Sequence, residues 1–176
     1  MRYVDGPTVE CDLYLAADPA RVWRLVTDIE LPARFSPELR RVRWLDGDRG
    51  PALGARFEGH NQHPLLGEWR TVSQVVRFDE PEVFGWVVLD PDDRFGGGPV
   101  DLAYPAATWQ FRLTPEEDGC RLSHFVRVGP GRTGLSLFID RAPENEEQII
   151  EHRLTALRDG MTATLRGIRN LAEQPR

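Results

Sequence analysis

The chain has 176 residues and a formal net charge of −6, with 40% hydrophobic and 28% charged residues. This length suits one domain with its own core, and an acidic chain is a poor match for nucleic acid, whose phosphates attract basic surfaces. The sequence has no apolar run of about 18 residues and no secretory signal pattern, so we expect a cytoplasmic protein without a membrane span. Cys11 and Cys120 do not have metal-ligand spacing, and we expect them to be free thiols.

The chain opens with a predicted strand and two short helices. Apolar and polar residues alternate over 9–15, which is the period of a half-buried strand. Asp18 then supplies an N-cap and Pro19 the first helical position, ahead of an apolar stripe at helical spacing. Two prolines bracket a second short helix that contains Phe35.

About six further strands follow, each indicated by alternating apolar residues and bounded by turn residues. They lie near 41–45, 55–61, 69–78, 84–88, 109–113 and 120–128. A loop rich in glycine, aspartate and proline covers about 90–104. We expect this loop to be either a mobile flap over a cavity mouth or a plain hairpin tip.

The last part of the chain predicts one long helix. Apolar residues recur at spacings of three and four between Ile149 and Leu171, over about 25 residues or roughly 38 Å. Gly160 and Gly167 interrupt it on nearly one face, which close approach to the sheet or room for a ligand would explain. Strands grouped between helices predict an antiparallel α+β fold in a single domain over 1–176.

Several pieces of sequence, in this order, resemble the START-like (SRPBCC) superfamily, and most closely its polyketide cyclase/dehydrase-type branch. They are ADPARVWRLVTDIE, LPARFSPELRRVRWLDG, GARFEGHN, EWRTVSQVVRFDEPEVFGWVV, TWQFRLTPEEDGCRLSHFVRV and GPGRTGLSLFID with the long helix behind it. The resemblance covers nearly the whole chain. It implies the helix-grip fold, in which a curved seven-stranded antiparallel sheet wraps around a long C-terminal helix and encloses a cavity.

The same resemblance implies a small hydrophobic ligand, since members of this superfamily take sterols, lipids, polyketides or hormones. Some members catalyse cyclisation, dehydration or hydrolysis, and many only bind. The sequence shows neither the iron-ligand motif of the ring-hydroxylating oxygenases nor the glycine-rich phosphate loop of the plant allergens. The fold therefore implies a pocket without specifying a reaction.

Three polar residues are candidates for chemistry in that pocket. His124 lies on an otherwise apolar strand face and is a candidate general acid or base, unless it is a core histidine bonded to a carbonyl or a tyrosine. Asn61 either orients a ligand carbonyl or caps the turn that follows it. Arg153 either meets an oxyanion at the cavity rim or lies on the surface.

Apolar and hydroxyl side chains are candidates for the walls of the pocket. The strand tryptophans either stack on a flat ligand or pack the core, and the hydroxyls point inward only if their strand has the right parity. The candidate ligand contacts are Phe35, Trp44, Phe57, Trp69, Thr71, Ser73, Trp86, Trp109, Phe111, Leu157 and Met161.

No cofactor or metal is expected. His60 and His63 lie three apart at a strand end, a spacing that does not align two ligands, and the Gly96–Gly98 run lacks the Lys-Ser/Thr of a phosphate-binding loop. We therefore expect a monomer or homodimer that binds an aromatic or polyketide-like ligand and acts on it as a cofactor-free biosynthetic lyase. The alternatives are a carrier or sensor without turnover, and an interaction module whose cavity has collapsed.

Overall fold

A seven-stranded antiparallel sheet dominates the computed structural model, which describes residues 1–174. Its strands are β1 (Thr8–Leu15), β2 (Leu39–Trp44), β3 (Arg56–His63), β4 (Gly67–Asp79), β5 (Val83–Leu89), β6 (Ala107–Glu116) and β7 (Gly119–Val128). The order across the sheet is β1-β7-β6-β5-β4-β3-β2, so the first two strands of the chain form its opposite edges. This curved sheet with a long C-terminal helix confirms the predicted helix-grip fold.

Three α-helices accompany the sheet: α1 (Pro19–Val26), α2 (Gly134–Arg141) and α3 (Glu146–Glu173). The first begins as predicted, because the Asp18 side chain accepts a hydrogen bond of 2.9 Å from the Ala20 N–H. The second predicted helix is a single 3-10 turn at Leu31–Arg34, and Phe35, which was predicted to lie within it, follows its last residue. Short 3-10 turns also occupy Tyr3–Asp5 and Pro143–Asn145.

The sequence analysis did not resolve α2 as a helix of its own. Thr133 caps its start by accepting a hydrogen bond of 3.1 Å from the Leu135 N–H. Pro143 follows its last residue closely and cannot donate a helical hydrogen bond, so α3 begins afresh after it. None of the helices within residues 1–174 is long and apolar enough to cross a membrane.

The largest core cluster fills one end of the space between the sheet and α3. Leu165 and Ile168, in the C-terminal half of α3, are 2% and 1% exposed and pack with α1 and the strands beneath it. Leu154 and Leu157, in the N-terminal half, are only partly buried. Only smaller buried clusters, one of them containing Ile150, lie beneath that half of α3, and they leave part of the concave face of the sheet uncovered.

The two glycines of α3 have different roles. A Cβ at Gly167 would lie 2.4 Å from the ring of Phe35, so the glycine lets the segment after α1 pack directly on α3. One of the two predicted explanations was a close approach of α3 to the sheet. At Gly167 the close approach is instead to the segment after α1. A Cβ at Gly160 would meet nothing nearer than Pro37 at 3.9 Å, and Gly160 lines the open space instead.

The convex face of the sheet carries a buried carboxylate. Glu58 is 4% exposed and accepts from Arg43 at 3.0 Å and Arg70 at 3.1 Å, and its carboxylate lies 2.7 Å from His60. The hydrogen bond with His60, followed by those from the arginines, lowers the pKa of Glu58 to about 2. His60 therefore belongs to an ion-pair cluster on the face opposite the cavity.

Candidate functional site

The space beneath the N-terminal half of α3 is a cavity of about 890 Å³. Aromatic side chains from β3, β5 and β6 form much of its wall, and the rings of Trp86 and Trp109 stack with centroids 6.4 Å apart and planes 9° from parallel. Such a wall presents broad, flat apolar surfaces on which a planar ligand can stack.

His124 lies at the inner end of this cavity and is its most unusual polar residue. It is 6% exposed, and its ring stacks on Phe111 with centroids 4.1 Å apart and lies 5.1 Å from Trp109. Both ring nitrogens are buried, and neither has a hydrogen-bond partner among the described residues. Burial lowers the pKa of His124 to about 3.

The neutral imidazole at pH 7 therefore has one N–H donor and one nitrogen lone pair, both buried in the cavity wall and unbonded among the described residues. Leaving such groups buried and unpaired costs about 1–3 kcal/mol each, so a carbonyl or hydroxyl on a ligand would relieve a real penalty. The alternative of a core histidine bonded to a carbonyl or a tyrosine is wrong for the described chain. A depressed pKa also disfavours His124 as a protonated acid in the free protein.

Asn61 and Thr71 lie side by side further along the concave face. The Asn61 amide nitrogen donates to the Thr71 hydroxyl at 3.3 Å, and that hydroxyl donates to the Gly59 carbonyl at 3.4 Å. The turn after β3 is held by His63, whose Nδ1 accepts from the Leu65 N–H at 3.2 Å, so Asn61 does not cap it. Both Asn61 and Thr71 line the cavity.

Arg153 lies at the cavity rim but is already paired. Its guanidinium donates through two nitrogens to both carboxylate oxygens of Glu38, one of these bonds measuring 3.0 Å. This bidentate pair ties α3 to the segment before β2 and neutralises the arginine locally. An oxyanion would have to displace Glu38, so the arrangement does not favour the predicted oxyanion contact.

Most of the predicted wall residues do lie around the cavity. The parity of β4 directs its alternate residues from Trp69 onward inward, which was open at the sequence level. The predicted contacts that line the cavity are Phe57, Trp69, Thr71, Ser73, Trp86, Trp109, Phe111, Leu157 and Met161.

Two predicted contacts lie outside the cavity wall. Phe35 packs against Gly167 on α3, because the missing side chain there leaves a hollow for its ring. Trp44 lies at the end of β2 and packs on Phe57 with ring centroids 5.6 Å apart, where core side chains separate it from the open space. Both are therefore corrected from ligand contacts to packing residues.

Several lining residues at the outer end were not predicted, two of which shape the mouth. Asp90 and Phe95 line the cavity, and Phe95 is 5% exposed beneath the glycine-rich loop, with its ring 6.1 Å from that of Trp69. Arg132 donates from Nε to the Phe95 carbonyl at 2.8 Å and holds the loop over the mouth. A signal was available for Asp90, since it continues the two-residue period of Trp86 and Val88.

The described residues, 1–174, contain no group of three or more His, Cys, Asp and Glu side chains arranged to hold a metal ion. His63 and His152 both line the cavity, at its outer part. Other polar side chains, among them Arg141, Asn145 and Gln148, also line the cavity.

Residues 8–172 match the model of a family described as polyketide cyclase / dehydrase and lipid transport. The comparison with curated proteins finds no match. Among solved structures, the Polyketide_cyc-like protein Cgl2372 from Corynebacterium glutamicum is 30% identical, with a TM-score of 0.63, and the match covers 94% of this chain and 91% of that one.

More distant structures share the fold. The di-domain ARO/CYC protein StfQ of the steffimycin biosynthetic pathway has a TM-score of 0.67 at 13% identity, over 94% of this chain and 50% of StfQ, so this chain corresponds to about half of the di-domain protein. The major latex-like protein 151 of Panax ginseng has a TM-score of 0.59 at 9% identity, over 96% of this chain and 98% of that one.

Proposed function

The chain belongs to the polyketide cyclase / dehydrase and lipid transport family, and on that premise we propose that it binds a flat hydrophobic molecule, aromatic or polyketide-like, inside the cavity. The observation that carries the proposal is His124, whose two ring nitrogens are buried without partners in an otherwise apolar wall. In this proposal a ligand carbonyl accepts from the imidazole N–H while the ligand rings lie against the aromatic wall.

The size and the lining of the cavity support this ligand class. About 890 Å³ lies within the range of volumes that hold drug-sized ligands. Trp86 and Trp109 offer parallel faces, and Met161 on α3 closes the opposite side with a flexible apolar chain. A cavity of this size also argues against the alternative of an interaction module with a collapsed interior.

A matched pair of ligands tests the proposal: 9-fluorenone, which has one carbonyl, and fluorene, which has none. Binding is followed by quenching of tryptophan fluorescence, since three tryptophans line the cavity. We expect the wild type to bind fluorenone about 3–10-fold more tightly than fluorene, the value of one neutral hydrogen bond. His124→Phe should abolish this preference and still bind fluorene.

The control variant is His152→Gln, which changes an exposed histidine at the outer part of the cavity. It should keep the preference for the ketone. If the wild type bound neither ligand, hydrophobic binding in this cavity would be wrong. Equal affinity for the two ligands would support hydrophobic binding in the cavity but contradict a hydrogen bond between His124 and the ligand.

Turnover is a second candidate function, favoured by the neutral state of His124. When a β-hydroxy ketone dehydrates, its α-proton and its hydroxyl leave as water, and negative charge develops on the carbonyl oxygen in between. A neutral imidazole N–H aimed at that oxygen stabilises the charge, as an oxyanion donor does. Solvent water takes the α-proton and returns a proton to the departing hydroxyl, which leaves as water, so the ring of His124 is not required to change its protonation state.

A simple substrate distinguishes an enzyme from a carrier. We expect the wild type to accelerate the dehydration of 4-hydroxy-4-phenylbutan-2-one to the conjugated enone, which is followed by absorbance. His124→Phe should lose this acceleration, and His124→Asn, which retains an N–H donor, should keep part of it. A wild-type rate equal to that in buffer, with ketone binding intact, would favour the carrier.

A further inference from the structure

Asp90 marks the opposite end of the cavity from His124. It follows β5 directly, and because Leu89 pairs with Val72, the next residue falls level with Thr71 at the outer end. Phe84 pairs with Phe111, which in turn pairs with His124, so the other end of β5 lies level with the histidine. The six residue steps from Phe84 to Asp90 span about 20 Å along the strand.

The carboxylate of Asp90 is only half satisfied. One oxygen, Oδ2, accepts from the Phe95 N–H at 2.8 Å and so anchors the loop over the mouth. The other, Oδ1, is buried and has no hydrogen-bond partner among the described residues. The neighbouring amide of Asn61 donates to Thr71 instead. A buried carboxylate oxygen without a donor is costly, and native proteins rarely leave one so.

Three arginines around the mouth are bonded to other groups, whereas Arg141, which also lines the cavity, is exposed and forms no ion pair with Asp90 among the described residues. Arg94 donates to the Leu66 carbonyl at 2.8 Å, and Arg132 donates to the Phe95 carbonyl and to Asp140. Arg153 is held by Glu38. Within residues 1–174, no ion pair with Asp90 is formed, and the residue lines the cavity with Oδ1 buried in its wall and unbonded.

We propose that Asp90 is a second recognition point, which accepts a hydrogen bond from a hydroxyl at the outer end of the ligand. This inference rests on the proposed function, because it assumes a ligand that lies lengthwise with a carbonyl near His124. Together the two points select an elongated, neutral aromatic ketone with a hydroxyl at its far end. A ligand with a carboxylate at that end is rejected, because like charges repel in a site of low polarity.

Three 4-acetyl-p-terphenyls, which are long enough to reach between the two points, test this selection in the wild type; at the far 4″ position they carry a hydroxymethyl, an ethyl or a carboxylate group. The first two have nearly the same shape, and only the first carries a donor. A hydrogen bond to an ionised group predicts at least tenfold tighter binding of the hydroxymethyl compound, with the carboxylate weakest. Equal binding of the hydroxymethyl and ethyl compounds would overturn the inference and leave the proposed function standing, whereas failure of both to bind would count against the proposed function itself.

Asp90→Asn assigns the preference to this residue. Its amide oxygen can still accept from the Phe95 N–H, so the loop keeps its anchor, and its amide nitrogen now faces the cavity in place of an acceptor. We expect the preference for the hydroxymethyl over the ethyl compound to fall below about threefold, while the affinity for the ethyl compound stays unchanged. The affinity for the carboxylate compound should rise. Asp93→Asn is the matched control, because that exposed carboxylate accepts from the Gly98 N–H at 2.8 Å and does not line the cavity.

The control should retain the wild-type preference. If Asp93→Asn loses it too, general charge and not Asp90 sets the selection, and the inference is wrong. The same conclusion holds if Asp90→Asn keeps the full preference while its thermal unfolding shows a folded protein. Should Asp90→Asn fail to fold, Asp90→Ser takes its place. The wild-type affinities for the hydroxymethyl and ethyl compounds still test the inference in either case.

Discussion

Replacing His124 by phenylalanine should make the ligand-free protein more stable. The wild-type ring has two buried nitrogens without partners, and phenylalanine fills nearly the same volume with no polar atom. Relief of one or both penalties predicts a gain of about 1–3 kcal/mol in the free energy of unfolding near neutral pH. Stability and ligand binding would then move in opposite directions, as expected for a group kept for its ligand.

The gain should grow as the pH falls. The pKa of His124 is lowered from 6.5 to about 3 in the folded protein, so the unfolded chain binds more protons throughout that window. The wild type therefore loses stability as the pH falls below about 6.5, by about 1.4 kcal/mol at pH 5.5, and His124→Phe does not incur this loss. The difference between the two proteins is thus larger at pH 5.5 than at pH 7.5.

Urea unfolding at the two pH values, followed by circular dichroism, measures both effects. His152→Gln provides the control, since that histidine is exposed and its removal should leave the pH dependence as in the wild type. A His124→Phe protein less stable than the wild type at both pH values would refute the reasoning. It would mean that the imidazole of the free protein has a stabilising partner and needs no ligand.

Further variants test the packing and the rim. Gly167→Ala should destabilise the protein by about 1–3 kcal/mol, because its Cβ collides with an aromatic ring. Gly160→Ala has space around its Cβ and should stabilise the protein by up to about 1 kcal/mol through helix propensity. Thermal unfolding measures both variants, and equal effects would contradict the packing described. Glu58→Gln should cost about 1–3 kcal/mol in urea unfolding at neutral pH, and a neutral result would mean that its cluster does not stabilise the sheet. Glu38→Gln should free Arg153 and raise the affinity for anthraquinone-2-carboxylate about 5–10-fold, as measured by fluorescence titration. An unchanged affinity would show that the ion pair does not block anions at the rim.

Local periodicity was enough to predict most of the strands and the long helix. The two-residue period of β7 placed His124 on the inner face beside Leu122 and Val126, and the three-four spacing of α3 gave its extent to within a few residues. These features depend only on which face of an element is apolar. The order of the elements, matched to a family, supplied the rest of the architecture.

Long-range packing limited what could be predicted of the site. Trp44 shares the apolar pattern of Trp86, yet it lies at the filled end of the sheet, and only the position of α3 reveals which end that is. The pairing of Arg153 with Glu38 joins residues 115 positions apart and leaves no local signal. Asp90 was within reach, because it extends the inward period of β5, but its position after the strand and in a polar loop concealed it.

Nitrogen-15 NMR of the histidine side chains tests the central claim most directly, because it observes the imidazole nitrogens themselves. With four histidines in the chain, each resonance can be assigned by single substitution. On titration with 9-fluorenone we expect the nitrogen resonances of His124 to shift, with the dissociation constant obtained from fluorescence, and fluorene to leave them nearly unchanged. Saturable binding of fluorenone without a shift at His124 would contradict the claim that this residue receives the ligand carbonyl.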